Sequence, residues 1–326
     1  MSANGQLSAG PDRLIVIAVC TRRRPQMLSA CLESLLCQSA PDGWRWQLLV
    51  VENDAEPRIA EIVDSKRREA SVPLDYRLEP TAGIPFARNA AVEAALALGA
   101  DRIAFVDDDE MVAEDWLREV IAAADTHQAD VVEGPVYFDT SAGSDFWIDE
   151  VKYSFEEGTV RDRASTANVA FAARLVAPPP DGLGLRFNER LRFTGGSDTE
   201  FFLRANDAGA RIVWSARPKV IERLSAGRLT FRWQFHRAFR IAANEAQYLL
   251  EAQGLVASAK QLGGPSLHRL SNGLLGLAVA PLRLRQGKER FRAKALKSGR
   301  KLAWGMGSLV GLTPLRPRPY ARVDGE

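Results

Sequence analysis

Apolar residues in the first third of the chain come in short, β-branched runs separated by stretches with helical spacing. "RLIVIAVCT" (Arg13–Thr21) reads as a buried strand. The following "PQMLSACLESLLCQS" sets Leu28, Cys31, Leu32, Leu35 and Leu36 on one helical face. "WQLLVVEND" (Trp46–Asp54) predicts a second strand ending in polar residues, "RIAEIVDSKRREA" a helix, and "PLDYRLEP" a short third strand. "GIPFARNAAVEAALALGA" opens on Gly-x-Pro and continues as an Ala-rich helix to Gly99. "RIAFVDDDE" predicts a fourth strand, and "EMVAEDWLREVIAAA" the next helix with Glu110 at its start. Alternation of this kind predicts an α/β fold with a mainly parallel sheet.

The middle of the chain is less regular. "ADVVEGPVYF" reads as one strand and "TANVAFAARL" as an extended stretch entering a turn. A Pro/Gly loop then leads through "TGGSDTEFFLRANDAGARIVW", a Gly-Gly turn followed by a helix and a strand. Beyond Glu222 the pattern turns helical, and "FRWQFHRAFRIAANEAQYLLEAQ" has no Gly or Pro to break it. No internal repeat or low-complexity segment is visible. The first 12 residues, polar and Gly/Ser-rich, predict a disordered N-terminus without a secretory signal.

Charge changes this picture at one end only. The net charge of +2 conceals thirteen Lys/Arg against three Asp/Glu from Ser266 onward, about +10, with the remainder near −8. Such a split suggests a basic tail that meets an anionic surface, membrane or nucleic acid. Its two short apolar runs flank a basic centre, and neither reaches the roughly 18 residues that a spanning helix needs. It could lie in a membrane interface, or fold as a helical hairpin on the rest of the chain; nucleic acid is not expected, because no recognisable module accompanies it. Cys20, Cys31 and Cys37 lack metal-site spacing and fit a reducing compartment. The expectation is a cytoplasmic protein, peripheral on the inner face of the cell membrane if the tail binds lipid.

In open α/β sheets ligands sit beyond the carboxyl ends of the strands. Here those ends carry "TRRRP", "ENDAEP" and "DDDE". Four adjacent carboxylates, Asp107 to Glu110, repel one another unless something holds them, and a hard cation such as Mg2+ or Mn2+ takes oxygen ligands of this kind. In an extended strand Asp107 and Asp109 share one side and Asp108 faces the other. A solvated turn capping a helix explains the same residues. "GGSDTEFF" places Asp198 behind two glycines, suited to general-base work, or to a helix cap by Ser197 or Asp198. "AGIPFARNAA" puts Arg88 and Asn89 in the opening turns of a helix, where a phosphate or a surface ion pair would account for the arginine.

Taken in order, "VIAVCTRRRPQMLSACLESLLCQ", "LLVVENDAEP", "AGIPFARNAA", "IAFVDDDEMVAEDWL", "ADVVEGPV", "NVAFAARL", "LRFTGGSDTEFFLRANDAGARIVW" and "VIERLSAGR" resemble the family-2 glycosyltransferases of GT-A type, in the flavour of bacterial exopolysaccharide and succinoglycan-type transferases. The resemblance spans about residues 14–228. It implies a Rossmann-like nucleotide-diphospho-sugar transferase fold over 13–228, with a nucleotide half (13–110) and an acceptor half (111–228), followed by a basic helical extension (229–326). It implies an inverting, hexosyltransferase-like enzyme that uses Mg2+ or Mn2+ and a nucleotide-diphosphate sugar, UDP by default. The acceptor would be a saccharide or a polyprenyl-linked saccharide. By position, Thr21, Arg22, Glu52, Asp54, Arg88, Asp107 and Asp108 would bind the nucleotide sugar. Asp109 and Glu222 would bind the metal, and Asp198 would be the catalytic base. The chain departs from processive relatives in lacking their downstream Gln-x-x-Arg-Trp motif, which implies one sugar per encounter. Two other readings stay open: a nucleotidyltransferase, although "CTRRRP" lacks the glycines of a phosphate loop, and a membrane-associated scaffold that keeps the fold without activity.

Overall fold

The computed structural model describes residues 13–139, 151, 153–192, 195–224 and 226–313; the expected disordered N-terminus lies outside them. Eight strands form the main sheet: β1 (Arg13–Thr21), β2 (Trp44–Glu52), β3 (Leu74–Leu78), β4 (Arg102–Asp107), β6 (Val131–Glu133), β8 (Val160–Arg161), β9 (Asn168–Ala172) and β10 (Ile212–Trp214), in the order β3-β2-β1-β4-β9-β6-β10-β8. The first four strands of that order run parallel, β9 is antiparallel to both neighbours, and β6 and β10 are again parallel. A smaller sheet combines β5 (Glu110–Val112), β11 (Val220–Arg223) and β7 (Val136–Asp139) in the order β5-β11-β7.

Period-two alternation explains why β1 is apolar throughout. Ile15, Ile17 and Val19 face α1 (Pro25–Leu36) through Leu28, Cys31, Leu32 and Leu35. Leu14, Val16 and Ala18 face the opposite layer, where α3 (Ile84–Ala97) contributes Ala87, Ala90, Ala91 and Ala95. These alanines let α3 lie close to the sheet. Gly83 before it sits at φ 138°, and a Cβ there would stand 2.6 Å from that of Arg192. The remaining layer helices are α2 (Ala60–Glu69), α4 (Trp116–Thr126) and α5 (Ser197–Asp207).

Three elements differ from the sequence pattern. β2 spans Trp44–Glu52 rather than Trp46–Asp54, because the Asn53 amide donates to the carbonyls of Glu79 and Thr81 and turns the chain out of the strand. β4 stops at Asp107; Glu110 begins β5 instead of a helix, and α4 starts only at Trp116. The Glu110 carboxylate closes this turn by accepting from the Asp107 amide at 2.8 Å. "ADVVEGPVYF" is two strands in different sheets, broken at Gly134, where a Cβ would meet Asn168 Nδ2 and the Pro218 carbonyl at 2.5 Å.

After β11 a 3-10 turn (Ala226–Leu229) leads into α6 (Phe231–Val279), which breaks at Gly254 (φ 80°, ψ 170°) into arms 231–253 and 255–279. A second 3-10 segment (Ala280–Gln286) connects to α7 (Lys288–Gly311). The glycines of α7 show how the bundle closes. Gly299 meets the Phe231 ring, Gly307 the Phe239 carbonyl and Gly311 the Ala243 carbonyl, so α7 runs parallel to the first arm. Gly273 meets Leu302 and Gly276 meets Ser298, so it runs antiparallel to the second. These five glycines are thus consumed by helix packing within a three-helix bundle. Among the described residues no helix is long and apolar enough to cross a membrane.

Two substitutions should move stability in opposite directions. A side chain at Gly307 drives into the Phe239 carbonyl and Ala242, so Gly307→Val should cost about 1–3 kcal/mol. A Cβ at Gly263 meets nothing within 4 Å, so Gly263→Ala should gain about 0.5–1 kcal/mol from helix propensity alone. Thermal denaturation of both variants checks the pair.

Candidate active site

Parallel pairing brings the carboxyl ends of three strands to one edge: Thr21 is in register with Glu52, and Cys20 with Asp107. The acidic turn follows directly, with Asp108, Asp109 and Glu110 all buried and Asp107 half-buried. Burying like charges is unfavourable unless each finds a partner, and the partners are specific. Thr21 Oγ1 donates to Asp108 Oδ2 at 2.7 Å. Arg24 Nη1 donates to Asp108 Oδ1 at 2.9 Å and to Asp109 Oδ2 at 3.3 Å. Arg228 Nη1 donates to Asp109 Oδ2 at 2.8 Å and to Glu222 Oε1 at 3.2 Å. Glu222 reaches this position because β11 pairs antiparallel with β5, which sets it opposite Glu110.

The expected division, with Asp107 and Asp109 on one side and Asp108 on the other, does not hold. The chain turns after Asp107, so Asp108 and Asp109 share Arg24. Burial pushes the Asp108 carboxyl up to about 6, against the pull of Arg24 and with a further push from Asp109. Glu110 is raised well above the usual range, by burial first and then by Asp107, Glu222 and Asp109. Its Oε1 is buried without a hydrogen-bond partner among the described residues. The Cys31 thiol, donating to the Asp107 carbonyl at 3.6 Å, is pushed up by the same burial and carboxylates and stays protonated.

Around this turn the other acidic residues of the strand ends are tied down. Glu52, fully buried, accepts from the amides of Arg58 (3.0 Å) and Ile59 (3.2 Å) and from the Tyr76 hydroxyl (2.7 Å), so it holds the loop before α2. Asp54 accepts from Arg23 Nε at 2.6 Å, with Arg58 Nε at 3.4 Å. The Arg23 hydrogen bond, with help from the Ala55 amide, holds the Asp54 carboxyl below its ordinary range despite desolvation. Asn53 accepts from the Gly83 amide at 2.8 Å and so joins the end of β2 to the start of α3. Arg22 is half-buried, and its Nε has no hydrogen-bond partner among the described residues.

Arg88 and Asn89 anchor a different junction. Arg88 Nη1 donates to Ser197 Oγ at 3.0 Å, and its guanidinium lies 5.6 Å from the Phe187 ring centre. Asn89 exchanges hydrogen bonds with the Phe187 backbone and reaches Glu189. Arg88 thereby fixes the start of α5, and Asn89 the segment that leads to it. The N-cap of α5 is Gly196 (φ 83°), not Ser197 or Asp198, and the Ser197 hydroxyl accepts from Arg88. Asp198 stands in the first helical turn, where the helix dipole favours a carboxylate. Its charge is felt by the Tyr153 phenol, which burial and Glu133 chiefly push well up.

The donor set is suited to a hard cation only in part. Among the described residues no three Asp, Glu, His or Cys side chains converge to hold a metal on their own. Mg2+ and its like are, however, commonly held by one or two carboxylates together with substrate phosphates and water. Asp109 and Glu222, bridged by Arg228 and adjacent to the orphaned Glu110 oxygen, fit that arrangement.

Arg23, Arg24, Arg228 and Asn53 are participants that the sequence reading did not single out, and Ser197 was read only as a helix cap. The signal for three of them was present: "TRRRP" holds Arg23 and Arg24 beside the selected Arg22, and Arg228 closes "VIERLSAGR". Arg228 is itself braced from the bundle. The buried Gln234 amide donates to its carbonyl at 3.2 Å, and Arg300 Nη2 of α7 donates to Gln234 Oε1 at 2.9 Å.

Comparison with known proteins adds three findings. A family model described as Glycosyl transferase family 2 matches residues 15–176. Succinoglycan biosynthesis protein ExoM of Rhizobium meliloti (strain 1021) is 33 % identical over 247 residues, 74 % of this chain and 77 % of ExoM. Among solved structures, the mannosyltransferase PcManGT of Pyrobaculum calidifontis, in complex with GDP-Man and Mn2+, superposes with a TM-score of 0.59 at 14 % identity. That match covers 90 % of this chain and 86 % of PcManGT. S. aureus TarS 1-349 in complex with UDP-GlcNAc gives 0.52 at 17 % identity over 91 % and 90 % of the two chains. In a longer TarS structure the match spans 55 % of that protein. These two structural likenesses establish the fold, of GT-A type.

The raised Asp108 carboxyl has a thermodynamic signature. The folded protein holds this proton more tightly than the unfolded chain does. The contribution is therefore fully present below about pH 4 and is lost as the pH rises through about 6. Asp108→Asn cannot titrate, so raising the pH from 5 to 7.5 should cost the wild type about 1 kcal/mol relative to the variant. Thermal denaturation of both proteins at the two pH values measures it.

Proposed function

The chain belongs to glycosyl transferase family 2, and on that premise we propose an inverting, cation-assisted sugar transferase of surface-polysaccharide synthesis. The donor is a nucleotide-diphosphate sugar, and the acceptor a hydroxyl of a saccharide, in particular one carried on a polyprenyl lipid. The observation that carries this reading is the buried Asp108–Asp109 pair, held by Arg24 and Arg228 at the carboxyl ends of parallel strands. A site that balances buried carboxylates against arginine side chains can exchange those partners for a diphosphate and its counter-ion at little electrostatic cost.

The roles follow from the chemistry. When the bond between the anomeric carbon and the diphosphate oxygen breaks, negative charge develops on the leaving nucleoside diphosphate. A bound Mg2+ or Mn2+, held by Asp109 and Glu222, would supply Lewis-acid stabilisation of that charge. Arg24 and Arg228, already at the carboxylates, add positive charge at the same place. Thr21 and Arg22 line the nucleotide side, with Asp107 and Asp108 toward the ribose and sugar. Glu52 and Asp54 shape the base pocket, Glu52 by fixing the loop before α2. Arg88 acts by holding Ser197, and so the first turn of α5, in place. Asp198 accepts the proton of the acceptor hydroxyl as the new bond to the anomeric carbon forms. One displacement from the opposite face inverts the anomeric centre. ExoM's involvement in succinoglycan biosynthesis supports the polysaccharide assignment, and the nucleotide sugars bound by PcManGT and TarS support the donor class.

Asp198→Asn tests the assignment of the base. Transfer of labelled sugar from UDP- and GDP-sugars to polyprenyl-linked acceptors should fall about 10²–10⁴-fold, with nucleotide affinity unchanged. Retained turnover, or loss of nucleotide affinity alongside turnover, would remove Asp198 from the role of base.

A further inference from the structure

The bundle packs on the glycines that line its helix contacts, and what it leaves outside has a definite chemistry. At the tip where α6 returns into α7, every residue from Pro281 to Arg290 is exposed. Leu282 and Leu284 are 67 % and 51 % exposed, and they alternate with Arg283 and Arg285. Just before the tip, Leu274 and Leu275 are 59 % and 64 % exposed. The antiparallel packing of α7 lays a basic edge beside them: Lys294 Cε comes within 3.8 Å of the Cβ position of Gly276. Lys288, Arg290 and Arg292 precede Lys294, and Glu289 is the one acidic residue in this stretch.

Four projecting leucines among basic side chains do not suit water, and they do not suit nucleic acid, which offers phosphate but no apolar medium for the leucines. A bilayer surface offers both, with anionic headgroups for the arginines and lysines and an acyl boundary for the leucines. We propose that this tip, Leu274–Leu275 together with Leu282–Arg290, is the seat of the protein on an anionic lipid bilayer. The leucines enter the headgroup–acyl boundary and the basic side chains meet lipid phosphates. The bundle touches the surface and does not cross it. The seat rests on the exposure and charge of the tip and is independent of the sugar chemistry. It also gives the Arg300–Gln234–Arg228 contacts a place in the molecule, because they run from the docked bundle to the acidic turn.

The full chain should be sedimented with vesicles of phosphatidylcholine alone and of phosphatidylcholine mixed with phosphatidylglycerol. Binding is expected only to the mixed vesicles and should weaken with added salt. Leu282→Glu/Leu284→Glu should lower partitioning by about tenfold or more, through lost insertion and added negative charge. Each of Arg283→Gln and Arg285→Gln should lower it about fivefold. The Tm and nucleotide affinity of these variants should match the wild type, because the substituted positions are exposed and remote from the bundle interior. Equal binding to neutral vesicles, no binding to either, or wild-type binding by the double-Glu variant would each overturn the proposal. So would self-association or RNA binding that the double-Glu variant loses while vesicle binding stays unchanged.

Discussion

The architecture depends on keeping an acidic turn buried. Asp108, Asp109 and Glu110 lie where water does not screen them, and their mutual repulsion alone would open the turn. Thr21 and Arg24 meet it from the end of β1 and the loop beyond, Arg228 from the link to the bundle. Two of these partners are cations on long side chains, which can give up one anion for another. The compensation is incomplete: Asp108 and Glu110 remain raised, and one Glu110 oxygen has no hydrogen-bond partner among the described residues. A site left short of positive charge binds a further cation more readily than one already balanced.

The remaining elements serve to hold that turn. The parallel ladder β3-β2-β1-β4 aligns the strand ends, and packing on both faces of β1 leaves it one register. Asn53 and Glu52 then convert the end of β2 into a fixed loop, while from α3 Arg88 fixes the start of α5 and Asn89 the segment before it. The small sheet brings Glu222 to Glu110 across more than a hundred residues of chain. The bundle enters through Gln234, a buried amide with one hydrogen bond toward Arg228 and one from Arg300. The C-terminal helices are therefore bonded to the residue that holds Asp109.

Much of this was legible in the chain. β1 is found as read, Arg13–Thr21, because its short β-branched run favours a strand buried on both faces. The helices α1 and α3 followed from spacing and from the Gly-x-Pro opening. What escaped was non-local. A three-residue strand such as β5 carries no periodicity, and it exists because β11 supplies its partner. The same sheet splits "VVEGPVYF" at Gly134, whereas the unbroken helix read over 231–253 is found as read and ends at Gly254. Among the site residues, the carboxylates stood out by density. Arg24 and Arg228 did not, because arginine is common on surfaces and only the tertiary fold shows which ones face inward.

The central claim is that Asp109 belongs to a site for a cation and a nucleoside diphosphate. Calorimetric titration with UDP, GDP and TDP, each with and without Mn2+, on the wild type and on Asp109→Ala, tests it most directly. The account predicts Mn2+-dependent binding of one nucleotide, abolished by the substitution. Binding of none of the three, or equal binding by the variant, would contradict it.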